Sequence, residues 1–318
     1  MTALEGPVEL LEVDVPELLD SVRVDRALAM LTGLTRKETA DLVAAGSVEI
    51  DGAVVHKGST PLAAGQRLVA SLPDVGPEAL LPDPAVDVRV VLEDPAFLVV
   101  DKPAGLVVHP GAGHVDGTLI AGLLARYPEL VAIGEVEGSS PLRPGVVQRL
   151  DKGTSGILVV ARTPDAYRSL TSQLAARTVE RLYLGLVEGE MADDNGIVDA
   201  PIGRSQRTPT KMAVRTDGRP ARTAYRVLER FHSPPRSSLE LRLESGRTHQ
   251  IRVHMAAIGR PVVNDPRYGR RREPALEEGR VFLHAAVLGF DHPASGERVR
   301  VTSPLPPDLT ALLASISA

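Results

Sequence analysis

A short proline-rich segment divides this chain, because neither a helix nor a central strand can continue through it. Four prolines fall between residues 73 and 84, namely Pro73, Pro77, Pro82 and Pro84. Each fixes its own backbone φ angle and lacks a backbone N–H donor, so the segment predicts a stiff linker and a domain boundary. We therefore expect an acidic, poorly structured lead over residues 1–20, a small module with its linker over 21–82, and a larger domain over 83–318.

The small module is predicted to contain two short helices followed by a hairpin. Apolar residues at helical spacing predict the first helix over residues 22–31. Thr35 and Glu38 form a capping box that would begin the second helix, and Gly46 is placed to end it. The hairpin is predicted to have strands at 48–50 and 53–55, joined by a turn at Asp51-Gly52. One further strand is predicted at 67–71.

Beyond the linker, short strands dominate and a few helices intervene. The strands are predicted at 88–92, 97–100, 156–160, 182–187, 224–228, 239–243, 281–290 and 298–301. Thr163 and Pro164 predict a capped helix that ends near Ala176, and Thr248 is placed to cap another helix that has Ile251 on its apolar face. This mixture predicts an α+β fold, with a large mixed, mostly antiparallel sheet and flanking helices, beside a small α/β module.

Charge is unevenly distributed along the chain, although the net charge is only -5. Residues 1–82 hold 6 Lys and Arg against 13 Asp and Glu, whereas residues 204–272 hold 17 against 5. Such a basic run can contact nucleic-acid phosphates, or it can be a solvated protein face. Nearly all of these bases are arginine, which suits bidentate phosphate contacts.

The missing residue types and motifs exclude several chemistries. Without cysteine there is no disulfide, no thiolate nucleophile and no cysteine-bound zinc. His249 and His254 are five residues apart and do not share a helical face, so we expect no metal site. Gly111 and Gly113 precede no phosphate-binding lysine, so we expect no nucleotide cofactor. The sequence has neither a long apolar span nor a basic N-terminus, and we expect a cytoplasmic protein without a membrane partner, monomeric by default.

Three blocks of sequence resemble a known enzyme family. They are DKPAGLVVHP at 101–110, QRLDKGTSGILVVA at 148–161 and SGRTHQIRVHMAAIGRPVVNDPRYG at 245–269. In this order they resemble the RluA-type pseudouridine synthases, from about residue 88 to residue 307. The resemblance implies a cofactor-free enzyme that isomerises specific uridines in structured RNA, most similar to the enzymes that modify large-subunit ribosomal RNA. The chain departs from the family at Gln148, where His is usual, and at Asn264, where Gly is usual.

Residues 21–72 resemble a second family, the S4 RNA-binding domain. The similar stretch is RVDRALAMLTGLTRKETADLVAAGSVEIDGAVVHKGSTPLAAGQRLV. In that family the helical face docks on structured RNA, and Arg36 and Lys37 occupy the matching basic positions. The resemblance implies that both residues bind RNA, and a packing or dimerisation module is the alternative.

The resemblance assigns the role of nucleophile to Asp151. A carboxylate nucleophile can divide a difficult isomerisation into two easier steps. The segment ends in the turn Gly153-Thr154-Ser155-Gly156, and judged by its residues alone Asp151 could equally bond its own backbone as a turn aspartate. The resemblance further implies that Arg247 pairs with Asp151 and keeps it ionised, and a phosphate contact is the alternative role for Arg247.

Three more residues are expected to contact the target nucleotide. Tyr183 matches the active-site tyrosine of the family, whose ring can stack on uracil and whose hydroxyl can assist proton transfer. Arg149 shares a face with Asp151 if the segment is extended, and it is implied to fill the space that an extruded base leaves. Ile251, from the third block, is grouped with the substrate-binding residues. The alternatives are a core role for Tyr183 and a surface ion pair for Arg149.

Two other functions stay open at this point. A catalytically degenerate synthase would act as an RNA-binding ribosome assembly factor. A carboxylate glycosidase or nucleosidase would need a second catalytic Asp or Glu, for which the blocks offer Asp101 or Asp265.

Overall fold

The chain divides inside the proline-rich segment into two units, Met1–Glu78 and Ala79–Ala318. A computed structural model describes residues 8–32, 34, 36–73, 80–111, 116–208, 210–269 and 272–317. Each unit has its own hydrophobic core. Among these residues, we find no helix with both the length and the apolar character that a membrane crossing needs.

The first unit combines two helices with a four-stranded antiparallel sheet. Its elements in chain order are β1 (Val8–Asp14), α1 (Val24–Thr32), α2 (Arg36–Ala44), β2 (Val48–Ile50), β3 (Ala53–Val54) and β4 (Arg67–Pro73). The strand order is β1-β4-β2-β3. Val24 and Leu28 of α1 are fully buried in one core with Leu68 of β4.

The predicted helices and hairpin of this unit are confirmed. Gly46 follows α2 with a φ of 77°, a backbone angle that glycine adopts without steric cost. Asp51 and Gly52 both have positive φ, which a two-residue hairpin turn of this kind requires. Thr35, which the predicted capping box needs, lies outside the described residues.

The prediction of a poorly structured lead is wrong from residue 8 onward. Strand β1 pairs along its whole length with β4, and a 3-10 turn follows at Glu17–Leu19. Leu11 and Val13 pack against the core of the unit, while Glu12 forms an ion pair with Arg67 of β4. Residues 8–14 are therefore an alternating strand, acidic on one face and partly buried on the apolar face, despite the acidic composition of the lead.

The second unit is built on a sheet of nine strands among the described residues. They are β5 (Arg89–Glu93), β6 (Phe97–Lys102), β7 (Ser155–Ala161), β8 (Glu180–Glu188), β9 (Asn195–Asp199), β12 (Arg222–His232), β13 (Pro235–Leu243), β14 (Leu283–Asp291) and β15 (Arg298–Thr302). The order is β5-β6-β7-β14-β8-β13-β12-β9, and β15 also pairs with β14. Strands β7 and β14 pair in parallel, and the other described pairings are antiparallel. The predicted mixed, mostly antiparallel sheet is confirmed.

Helices and one hairpin surround this sheet. They are α3 (Leu119–Arg126), α4 (Pro164–Ala175), the hairpin β10 (Ile202–Arg204) and β11 (Met212–Val214), α5 (Gln250–Ala257) and α6 (Pro307–Ser317). The predicted cap of α4 is confirmed, because the Thr163 hydroxyl accepts a hydrogen bond from the backbone N–H of Ala166 at 3.2 Å. The cap predicted for Thr248 is wrong. His249 occupies that position with a φ of 57°, and its side chain is bonded elsewhere.

Both faces of the sheet are buried at strands β6 and β7. Leu98 of β6 packs on one side with Leu123 of α3, whereas Val99 packs on the other side with Leu170 of α4. All seven residues of β7 are buried. Strand β7 is therefore a rigid central element, and Asp151 lies four residues before its first residue.

Candidate active site

Asp151 lies on a turn that packs closely against the segment before β14. The carbonyl of Gly153 accepts hydrogen bonds from the Val281 backbone N–H at 3.1 Å and from Arg280 Nη1 at 3.0 Å. A Cβ atom at position 153 would lie 2.1 Å from the Gly279 carbonyl oxygen, so only glycine fits this approach. The close packing holds the backbone of Asp151, whose side chain is 15% exposed.

A buried lysine, Lys102, is hydrogen-bonded to the same turn. Lys102 Nζ donates to the carbonyl oxygens of Pro103 and Leu106, each at 2.9 Å, and to that of Lys152 at 3.4 Å. Burial lowers the pKa of Lys102 to about 7, although the charge of Asp151 opposes this shift. The contact with the Lys152 carbonyl joins the end of β6 to the residue that follows Asp151.

The cationic partner of Asp151 is Arg252. Arg252 Nη1 donates to Asp151 Oδ2 at 2.9 Å from the first turn of α5. The prediction that Arg247 makes this pair is therefore wrong. Arg247 lies in the loop before the helix, and its Nε donates to the Pro220 carbonyl at 3.1 Å. Helix α5 turns Arg252, rather than Arg247, toward the carboxylate.

A second carboxylate fixes Arg252 in place. Its Nε and Nη2 donate to the two oxygens of Asp265 at 2.7 and 2.9 Å, and the Asp265 side chain is fully buried. Burial acts to raise the pKa of Asp265, but the hydrogen bonds and charge of Arg252 outweigh it and hold that pKa below the usual carboxyl range. Burial likewise acts to lower the pKa of Arg252, and the two carboxylates raise it instead. Arg252 is thus a permanent cation between two anions.

His249 lies near the other carboxylate oxygen of Asp151, with Nε2 at 3.9 Å from Oδ1. The Tyr268 hydroxyl accepts a hydrogen bond from the backbone N–H of Met212 at 3.1 Å, and it is hydrogen-bonded to His249 Nδ1 at 2.8 Å. Burial lowers the pKa of His249, although the charge of Asp151 acts to raise it. The contact with the Tyr268 hydroxyl orients the imidazole beside the Asp151 carboxylate.

Asp151 opens into a cleft of about 420 Å³. The cleft brings together five of the residues predicted from the sequence, which are Asp151, Tyr183, Arg149, Arg247 and Ile251. Gln148 also lines it. Arg36 and Lys37 belong to the first unit, where the Lys37 side chain is exposed and that of Arg36 lies outside the described residues.

Tyr183 and Ile251 belong to the apolar part of the cleft wall, together with residues such as Leu150, Leu243 and Leu283. Tyr183 is 8% exposed and Ile251 is 3% exposed. Burial raises the pKa of Tyr183 to about 12. The hydroxyl is therefore protonated at neutral pH and can donate a hydrogen bond, while the ring offers a face for a planar base.

The charge of the cleft is strongly positive. Five arginines line it, namely Arg143, Arg149, Arg181, Arg247 and Arg252. Asp151 is the one carboxylate among the described lining residues. Such a surface attracts a polyanion and leaves a single carboxylate available for chemistry.

Arg252, Asp265 and Tyr268 are site residues that sequence reasoning did not place around Asp151. The available signal was weak, since Arg252 interrupts the apolar residues of α5, and residues 250–255 are all buried. A buried arginine needs an anionic partner, but the sequence does not say which.

Of the two departures from the family, Asn264 has a φ of 58° and tolerates this left-handed backbone. In the part of the chain that the structure describes, no three His, Asp or Glu side chains are grouped to hold a metal ion.

Comparisons with known proteins agree on one family. The family model described as RNA pseudouridylate synthase matches residues 96–257. An uncharacterized RNA pseudouridine synthase of Chloroflexus aurantiacus is 46% identical, over 97% of this chain and 96% of its own. The ribosomal large subunit pseudouridine synthase D of Xanthomonas campestris is 43% identical, over 95% and 91%. Human RNA Pseudouridylate Synthase Domain Containing 1 superposes with a TM-score of 0.53 at 28% identity, over 74% of this chain and 97% of that one.

The matched region contains the whole Asp151 turn, Tyr183 and all of α5, each of which contributes residues to the cleft. The relatives extend the similarity to nearly the full chain. By this similarity the chain belongs to the RNA pseudouridine synthase family.

Proposed function

We propose that this protein isomerises specific uridines of structured large-subunit ribosomal RNA, with Asp151 as the nucleophile. The observation that carries the proposal is a single carboxylate, held by Arg252 and faced by His249, in an otherwise basic cleft. The names of the relatives from Xanthomonas campestris and Pseudomonas aeruginosa, both ribosomal large subunit pseudouridine synthase D, support the choice of RNA. This substrate fits a cytoplasmic enzyme.

The two oxygens of Asp151 have different surroundings. Oδ2 accepts the hydrogen bond from Arg252, whereas Oδ1 has His249 Nε2 at 3.9 Å, beyond hydrogen-bond distance. Oδ1 is therefore the oxygen that can form a bond to the nucleotide. In the reaction Oδ1 bonds to C1′ of ribose as the bond from C1′ to N1 of uracil breaks. The base turns, and C5 then displaces Oδ1 from C1′. N1 takes up a proton, and the hydrogen of C5 is released to water. Arg252 orients the carboxylate and keeps it ionised before this step.

The remaining cleft residues have supporting roles. A uridine within folded RNA must leave its stack to reach Asp151. Tyr183 offers its ring to the extruded uracil and a protonated hydroxyl to an acceptor on the nucleotide, and Ile251 packs beside it. Arg149 is exposed at the rim of the cleft, where it can occupy the space that the base has left. Arg36 and Lys37 of the first unit contribute to RNA binding if that unit acts as an S4 domain.

A glycosidase is less well supported, because it would need a second carboxylate at the reacting bond. The Asp265 side chain is fully buried and occupied by Arg252. Asp101 accepts a hydrogen bond from the Ser303 hydroxyl at 3.1 Å and does not line the cleft. A degenerate assembly factor would not need the arrangement of Arg252 and His249 around Asp151.

The test is tritium release from RNA labelled at C5 of uridine, combined with pseudouridine mapping of ribosomal RNA from cells without the gene. We expect Asp151→Asn to abolish release and to retain RNA binding, whereas Asp165→Asn, at an exposed position of α4, retains both. Full turnover by Asp151→Asn would refute the role of nucleophile. Free uracil as the product would indicate a glycosidase, and binding without turnover by the wild type would indicate an assembly factor.

A further inference from the structure

Arg181 is a buried cation in the cleft that has no role in the mechanism above. It is 7% exposed, and its Nε has no hydrogen-bond partner among the described residues. Asp151 and the other described carboxylates make no ion pair with it, in contrast to Arg252. Burial lowers the pKa of Arg181, and the Tyr183 hydroxyl is the one group that opposes this shift. The free protein therefore holds this guanidinium largely buried, with no carboxylate paired to it among the described residues.

The surrounding structure is shaped to keep the guanidinium in this place. Arg181 and Tyr183 are buried and alternate with partly buried positions of β8, so both side chains project from the same face of the sheet into the cleft. A Cβ atom at position 246 would lie 2.9 Å from Arg181 Nη1. Gly246 thus leaves the space in which the guanidinium lies against the loop that precedes Arg247.

An anion is the ligand that this arrangement lacks. A buried charge costs free energy until a counter-charge with hydrogen bonds approaches it. Uracil and ribose are neutral, so the phosphate groups are the anions that a strand of RNA would bring into the cleft. The planar guanidinium presents paired N–H donors that match two phosphate oxygens.

The neighbouring charges favour the same ligand. Burial lowers the pKa of Arg247, and the positive charges of Arg219 and Arg177 lower it further, so these cations lie near one another. Arg247 lines the same cleft as Arg181, so its positive charge adds to the attraction for an anion there.

We propose that Arg181 binds a backbone phosphate adjacent to the extruded uridine. This inference rests on the proposed function for the identity of the uridine, but the contact itself requires only that an RNA strand enters the cleft. A buried arginine without an anionic partner reduces the stability of the free protein, and it adds affinity for a substrate that supplies the anion.

The first experiment compares Arg181→Met with Arg242→Met, a matched change at an exposed position of the neighbouring strand β13. We expect Arg181→Met to raise the Kd for target RNA by about 10- to 100-fold, as for the loss of one charged hydrogen-bonded contact. The slope of log Kd against log salt should fall by about 0.7 to 0.9. KM should rise more than kcat falls, and the melting temperature should stay equal or increase, whereas loss of a structural residue would lower it. Arg181→Lys keeps the charge but not the paired N–H donors, and its Kd for target RNA should lie between those of the wild type and Arg181→Met.

The second experiment replaces single phosphates beside the target uridine with neutral methylphosphonates. At one position, the methylphosphonate should raise the Kd of the wild type by the same factor as Arg181→Met does with unmodified RNA. The same methylphosphonate should not raise the Kd of Arg181→Met any further. The proposal is overturned if each replacement affects both proteins equally, or if Arg181→Met binds RNA as Arg242→Met does. If the wild type binds RNA without making pseudouridine, the proposed isomerase fails, while this contact is still measured by the binding data.

Discussion

Replacing Arg252 with methionine would leave two carboxylates without their shared cation. Arg252 is 5% exposed and makes three hydrogen bonds to Asp151 and Asp265. Removing one partner of a buried ion pair costs about 3 to 5 kcal/mol of unfolding free energy, because an uncompensated charge stays buried. Asp265 bears most of this cost, since its side chain is fully buried and Asp151 is partly exposed.

The loss should depend on pH in a defined direction. In the wild type the pKa of Asp265 is held below its usual value, so its contribution to stability is present at neutral pH and is lost as pH falls through the folded pKa. Without Arg252, burial raises this pKa, and the variant recovers stability as Asp265 takes up a proton. We therefore expect the difference between the two proteins to be largest near pH 8 and to shrink toward pH 4.

Urea unfolding followed by circular dichroism at several pH values measures this difference. The double variant Arg252→Met with Asp265→Asn keeps an acceptor for the backbone N–H groups of Arg267 and Tyr268 but removes the buried charge. It should be more stable than Arg252→Met alone at pH 8, and both variants should lack isomerase activity. A deficit that is constant with pH, or a double variant less stable than the single one, would refute the reasoning.

Two further predictions follow from the same geometry. Tyr183→Phe keeps the ring and should retain RNA affinity better than Tyr183→Leu. Because burial raises the pKa of the Tyr183 hydroxyl to about 12, the wild-type rate should show no decline from its ionisation between pH 7 and 9. Gly156→Ala should cost more than about 4 kcal/mol of unfolding free energy, since its φ is 116° and a Cβ would lie 2.3 Å from the Ala285 carbonyl oxygen. Gly296→Ala, with positive φ but open space, should cost only about 1 kcal/mol. Equal losses for the two glycines would contradict the packing argument.

Local sequence patterns determined much of the fold. The apolar alternation predicted the sheet strands, Thr163 predicted the cap of α4, and the Asp51-Gly52 pair predicted a hairpin turn, because each feature depends on residues close together in the chain. The composition of the lead was misleading, since β1 is stabilised by pairing with β4, more than fifty residues away. A strand of this kind is decided by its partner rather than by its own charge.

The sequence by itself also singled out Asp151, through the resemblance of its block to the family, since the glycine-rich turn alone would equally suit a structural aspartate. Only the tertiary structure decided which arginine pairs with it, since the rotation of α5 and the position of Asp265 select Arg252 over Arg247. Arg181 likewise resembles any strand residue in the sequence, and only the fold places it in the cleft beside Gly246. Electrostatic roles depend on distances of a few ångströms between segments remote in sequence, and those distances are set by packing.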